Sequence, residues 1–247
     1  MRIYVVACEV LFRELSMAAA QSPAVVDLVF LRKGLHDAPD MLRETLSGRL
    51  READQSEADA IVLGYGLCSN GTAGLRAGRL PIVIPRAHDC ITLFLGSRER
   101  YERLFSERPG TYYYTSGWLE RGGDTVPQAQ QETPAGGQSF EELVARYGED
   151  NARFLMEVQS SWRQHYTTAC YIRMPLSHRP EYAAQVRKIA EDNGWEYLEI
   201  EGDDRLIRDM VSGQWDPSDF LVVQPGRQTR PSHDGNVLCA ACMGGER

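Results

Sequence analysis

Cys8, Cys68 and Cys90 each stand just beyond a short apolar run. A thiol in such a place can ligate a soft metal or act as a nucleophile. His88 precedes Cys90 by two residues in the same turn, and its imidazole can serve as a further ligand or as an acid–base group. Three thiolates with one imidazole suit zinc or an iron–sulfur cluster, and three cysteine ligands alone leave one position open for chemistry. A metal-free alternative uses Cys90 as nucleophile, His88 as base and Glu9 as proton carrier. Cys90 falls near the first turn of a helix capped by Asp89, where the helix dipole favours a thiolate. The local spacing contains no Cys-x-x-Cys, so either chemistry requires the fold to bring distant residues together. Three small buried side chains at strand ends is the competing reading.

The turn Gly64-Tyr65-Gly66-Leu67-Cys68-Ser69-Asn70-Gly71 is rich in residues that tolerate positive φ. Gly64, Gly66, Asn70 and Gly71 are the expected positive-φ positions. Such a loop can curl its amides around an anion, with Gly66, Ser69, Asn70 and Gly71 as the cradle and Arg86 as a bidentate partner. The turn matches neither the dinucleotide fingerprint nor a phosphate loop. Thr111 to Trp118 (TYYYTSGW) offers an aromatic wall for a flat or methylated ligand. Strand alternation sends Tyr113 away from Tyr112 and Tyr114, so the three cannot all line one pocket. Cys239-x-x-Cys242 has metal or redox spacing but supplies two ligands only, and its position predicts a flexible tail. Cys170 reads as core; His165 and His178 have no evident partner.

The elements that must position these residues alternate in type. Strands are expected at 2–7, 25–31, 60–63 and 82–84, with helices at 10–20 and from Pro39 to Leu50. Helices at 90–96 and 97–106 and a strand at 111–115 follow. Residues 121–138 are polar and rich in Gly, Pro and Gln, which predicts a linker. Beyond it come helices near 139–147 and 149–163, a strand at 167–172, a helix at 180–193, strands at 195–200 and 219–223, and a short helix at 203–212. This pattern predicts an α/β fold with Rossmann-like parallel sheet layers flanked by helices. Residues 1–120 form an N-terminal lobe carrying the cysteines, 139–225 a second lobe or sheet extension, and 226–247 a polar tail. Parallel strands deliver their following turns to one edge, which is how Cys8, Cys68 and Cys90 would meet.

The formal net charge of -8 excludes a broad nucleic-acid footprint. No apolar stretch is long enough to cross a bilayer, and the N-terminus reads as a strand entering a helix rather than a signal peptide. Six cysteines without a secretory signal predict a cytoplasmic protein with free thiols.

The turn 64–71, Pro85-Arg86-Ala87-His88-Asp89-Cys90-Ile91, and Pro109 through Trp118 together resemble a prokaryotic domain-of-unknown-function family, number 1638. Its members are often encoded near corrinoid-dependent methyltransferases. Ser69 stands where many relatives have Gly. The resemblance implies methyl or one-carbon metabolism, with Cys8, Cys68, His88 and Cys90 as matching positions. Three functions follow: a zinc or iron–sulfur protein acting on a small molecule, an accessory module that binds a corrinoid protein or methyltransferase, and a metal-free thiol enzyme.

Overall fold

The computed structural model describes residues 1–122, 144, 149, 166–232 and 235–242. Four β-branched runs form β1 (Arg2–Cys8), β2 (Val25–Leu31), β3 (Ala60–Gly64) and β4 (Ile82–Pro85). They pair in parallel in the order β2-β1-β3-β4, and β8 (Phe220–Val223) closes the sheet antiparallel to β4. β3 and β4 are buried along their whole length, as strands covered on both faces must be. α1 (Phe12–Gln21) and α2 (Pro39–Ala53) make the first two crossovers. Pro39 starts α2, and its Leu42, Leu46 and Leu50 bury one stripe against the sheet. The chain steps from β1 outward to β2, then back across β1 to β3. Right-handed crossovers therefore put α1 and α2 on opposite faces and open a crevice between the carboxyl ends of β1 and β3.

A second parallel sheet contains β5 (Thr111–Tyr114), β6 (Thr168–Arg173) and β7 (Glu196–Glu201), in that order. Helix α6 (Pro180–Asn193) covers it with Val186, Ile189 and Ala190. The α/β class with parallel layers thus holds. The strand pairing crosses the expected division at 121–138: β5 pairs with β6, and β8 returns to the first sheet. The second sheet is an insertion between β4 and β8. Apart from Val144 and Glu149, the helices expected near 139–147 and 149–163 lie outside the described residues, as does the linker beyond Gly122.

Short helices join the sheets: α3 (Cys90–Leu95), α4 (Arg98–Glu107), α5 (Ser116–Glu120) and α7 (Arg205–Ser212). Two glycines set the junction. Gly96 ends α3 at φ 71°, and the neighbouring Phe94 carbonyl accepts from the Asp203 amide at 2.9 Å. A Cβ on Gly117 would lie 1.8 Å from the Val10 carbonyl, so α5 rests flush against the turn that follows β1.

The described residues of the C-terminal tail, expected to be a flexible polar segment, include two paired strands. β9 (Arg227–Pro231) and β10 (Leu238–Cys242) form an antiparallel hairpin. Its anchor is Thr229, fully buried, which donates to the Thr72 carbonyl at 2.6 Å and accepts from the Leu75 amide at 2.9 Å. A buried threonine in a polar stretch gives little periodic signal, which is why the hairpin was not legible. Among the described residues no helix is long and apolar enough to cross a membrane.

Candidate functional site

The turn after β3 is shaped by steric room and backbone bonding. A Cβ on Gly64 would sit 2.5 Å from Ala7 Cβ, and one on Gly66 would sit 2.6 Å from the Ala87 carbonyl oxygen. Only glycine lets the chain pass so close to β1 and to the turn after β4. The Leu67 amide then donates to the Ala87 carbonyl at 2.7 Å and the Cys68 amide to the His88 carbonyl at 2.8 Å. These bonds zip the two turns together. Cys68, Ser69 and Asn70 follow in the left-handed region, at φ 46°, 54° and 67°. Asn70 tolerates this region, but Cys68 and Ser69 each cost about 1–2 kcal/mol there, so strain is stored at the cysteine. The turn is held by the Gly71 amide on the Cys68 carbonyl at 2.9 Å and by the Thr72 hydroxyl on the Gly66 carbonyl at 3.0 Å. Of the four expected positive-φ positions only Asn70 has that backbone. The glycines serve close approach: a Cβ on Gly71 would meet the Leu42 side chain at 2.6 Å.

Of the anion cradle expected at Gly66, Ser69, Asn70, Gly71 and Arg86, the Gly71 amide and the Arg86 guanidinium are engaged with protein carbonyls. The amides of Leu67, Cys68, Gly71, Thr72, Ala73 and Gly74 all donate to protein carbonyls. Arg86 turns its guanidinium to the Pro217, Asn236 and Leu238 carbonyls, at 2.9, 3.2 and 2.5 Å. It fastens the hairpin to the sheet. Ser69 is exposed and borders the cavity described below.

Cys8 is buried at the end of β1, while Cys68 and Cys90 are half-buried in the two zipped turns. The three lie within electrostatic reach of one another: the charges of Cys8 and Cys68 both act on Cys90, and that of Cys8 on Cys68. Burial pushes Cys8 up to about 11 and Cys68 up to about 12. Cys90 is pushed well up by burial first and the Asp89 carboxylate second. This reverses the expectation that the helix start favours a Cys90 thiolate. α3 is a short helix, and Asp89 brings negative charge to its first turn. Asp89 caps the helix as expected, accepting from the Ile91 amide at 2.9 Å, and also accepts from the Tyr101 hydroxyl at 3.0 Å. Among the described residues, no group of three or more His, Cys, Asp or Glu side chains stands ready to hold a metal ion.

A cavity of about 350 Å³ opens beside these turns. Cys68, Ser69, His88, Asp89 and Cys90 line it from the two zipped turns. Tyr101, Tyr112, Tyr113, Trp118 and Tyr166 supply its aromatic surface. Tyr112 stacks near Tyr114 with centroids 5.0 Å apart, and Tyr113 meets Tyr101 at 5.9 Å, so the alternation along β5 is observed. Both Tyr112 and Tyr113 nevertheless reach the cavity, because β5 is an edge strand and the cavity lies along its edge. Tyr114 does not line it, so the three do not share one pocket, but the division at the cavity is Tyr112 and Tyr113 against Tyr114 rather than Tyr113 against the other two.

His88 is exposed at the cavity rim. Glu9 is engaged locally: it accepts from the Lys33 amide at 3.0 Å and lies 3.7 Å from the Arg121 guanidinium. Cys170 is fully buried in β6, as read from the sequence. Cys239 and Cys242 both lie on β10. Three residues apart on a strand, they face opposite sides with Cα atoms about 10 Å apart, too far for a disulfide. His165 and His233 lie outside the described residues.

Sequence reasoning missed Tyr65. This residue is 3 % exposed, its hydroxyl has no hydrogen-bond partner, and the charges of Cys8, Cys68, Cys90 and Glu9 all act on it. The available signal was its place between two glycines that cannot be replaced. Tyr101, Trp118 and Tyr166 reach the cavity from parts of the chain whose approach only the second sheet determines.

No curated protein and no solved structure matches the chain. A family model described as a protein of unknown function, DUF1638, matches residues 30–211. Cys68, His88, Cys90 and the aromatic cavity wall fall within that span, whereas Cys8 and the C-terminal hairpin fall outside it. The match covers well over half of the sequence, and the chain belongs to the DUF1638 family.

Proposed function

We propose that this protein holds a thiolate-bound metal, zinc or an iron–sulfur cluster, at the β1–β3 crevice and presents it to a small organic molecule in the aromatic cavity. The observation that carries this reading is that Cys8 ends β1, whose Ala7 pairs with Gly64 of β3, while Cys68 and Cys90 sit on the two mutually bonded turns that follow β3 and β4. Without a cation the thiols remain protonated, since burial and mutual repulsion both oppose ionisation. A bound cation inverts that balance and releases the thiol protons to solvent. The side chains would have to close on the ion, because no coordinating set is preformed among the described residues. His88 at the rim could complete the ligands or move a proton to the molecule in the cavity.

The metal-free thiol enzyme is less well supported. A nucleophilic cysteine needs a lowered pKa, and burial beside Asp89 moves Cys90 the other way. The family resemblance directs the metal reading toward corrinoid-linked methyl or one-carbon metabolism, with a corrinoid protein or methyltransferase as partner. Elemental analysis and an absorption spectrum of anaerobically purified wild type and Cys68→Ser test the site. About one metal site per chain, lost in the variant, is expected; metal-free wild type would end the proposal.

A further inference from the structure

We infer that the aromatic cavity takes a fully alkylated ammonium head group, held by the rings and balanced by the Asp89 carboxylate. This names the class of small molecule for the cavity in the reading above, and it rests on that cavity rather than on the metal. Tyr112 and Tyr166 have ring centroids 5.2 Å apart at 74°, and Tyr101 and Tyr113 stand 5.9 Å apart at 75°. All four line the cavity, so rings at steep angles to one another border a single space. A cation there is attracted by each ring face within about 6 Å. The wall already holds one cation in this way. Lys33, which does not line the cavity, sets its Nζ 4.5 Å from the centroid of the Trp118 ring.

Asp89 supplies the opposite charge. It is the one carboxylate among the described lining residues, and neither Lys nor Arg is among them. One carboxylate oxygen accepts from the Ile91 amide at 2.9 Å and the other from the Tyr101 hydroxyl at 3.0 Å, so the group is fixed in place. Burial opposes its charge. A cation in the cavity relieves that cost, and an anion adds to it. Both oxygens are already engaged, and ring faces are poor acceptors. A head group without N–H leaves no donor unmet when it sheds its water, whereas a primary ammonium would. A volume of about 350 Å³ lies at the small end for ligand sites and suits such a head group with a short substituent.

The test is isothermal titration calorimetry on the full-length protein with choline and with the neutral alcohol that has carbon in place of its nitrogen. Choline should bind at least about tenfold more tightly than the alcohol. Asp89→Asn keeps a side chain that caps α3 but loses the charge. It should weaken choline about tenfold and leave the alcohol unchanged. Tyr166→Leu, just before β6, removes one ring and should weaken choline about threefold to tenfold. Thermal unfolding checks that both variants fold, and Asp89→Asn decides alone should the ring variant not. Equal affinity for choline and the alcohol overturns this inference and leaves a cavity that binds small molecules. Choline that does not bind wild type, or that binds Asp89→Asn as tightly as wild type, also overturns it. The metal reading is decided separately, by the metal content of wild type and Cys68→Ser.

Discussion

The Cys68 amide donates to the His88 carbonyl at 2.8 Å, so the turns leaving β3 and β4 are one bonded unit rather than two neighbouring loops. The relative placement of Cys68 and Cys90 follows from that bond and from its neighbour, Leu67 to Ala87 at 2.7 Å. Gly66→Ala should break the unit, because the added Cβ meets backbone at 2.6 Å with no side chain to yield. The expected outcome is several °C of lost thermal stability and, on the proposed function, loss of metal binding. Ser69→Gly should act oppositely. Ser69 has φ 54° and an exposed side chain, and glycine relieves about 1 kcal/mol of strain, less its own chain entropy. Thermal melts of both variants check the pair; a stable Gly66→Ala would mean that the zipped turns are not rigid.

Arg86, in the turn after β4, and Thr229, on the hairpin, tie the turns and the hairpin together. Thr229→Val keeps the shape but leaves the buried Leu75 amide without its hydroxyl acceptor. It should cost about 1–3 kcal/mol. Arg86→Met removes three donations to carbonyls. It should expose the stretch 226–242 to limited proteolysis without altering any phosphate affinity. Unchanged proteolysis in Arg86→Met would show that the hairpin is held by other contacts.

How much of this was legible in sequence depends on the range of the cause. β1 to β4 follow from local runs of Val, Ile and Leu, and their parallel pairing follows from intervening helices such as α2 with its Leu42-Leu46-Leu50 stripe. That was enough to send Cys8, Cys68 and Cys90 to one edge. The partner of β5 was not legible, because the chain travels from Tyr114 to Thr168 before pairing. The aromatic wall depends on that long-range step. The role of Arg86 depends on carbonyls more than a hundred residues away, and no local pattern separates such a clamp from an anion site. Tyr65 was hidden for another reason: an unmet hydrogen bond is a property of the packed interior, not of residue type.

Thiol reactivity should rank by exposure and ionisation together. At pH 7 the metal-free protein keeps Cys8, Cys68 and Cys90 protonated, with burial as the first cause in each. Cys239 and Cys242 are exposed on the hairpin. Iodoacetamide should label the hairpin pair first, by at least tenfold in rate, since thiolate fraction falls about tenfold for each unit that a thiol is raised. Mass spectrometry of timed digests reads the order. Rapid labelling of Cys90 would restore the nucleophile reading and count against the metal site.

Glu14 gives a pH signature independent of the cysteines. It is buried on α1, accepts from the Ser177 hydroxyl through one oxygen, and leaves the other without a partner. Burial raises its carboxyl above the ordinary range and outweighs the Ser177 bond. Between the ordinary and the raised value the folded chain holds a proton that the unfolded chain has released. Stability therefore falls as pH rises through that window, and the loss is complete above the raised value. Glu14→Gln removes the titration. The variant should melt above wild type at pH 7, and the gap should shrink below pH ~4, where Glu14 is protonated in both states. Parallel melts across pH 4 to 8 measure it. A gap that does not change with pH would mean that the buried carboxylate ionises without cost.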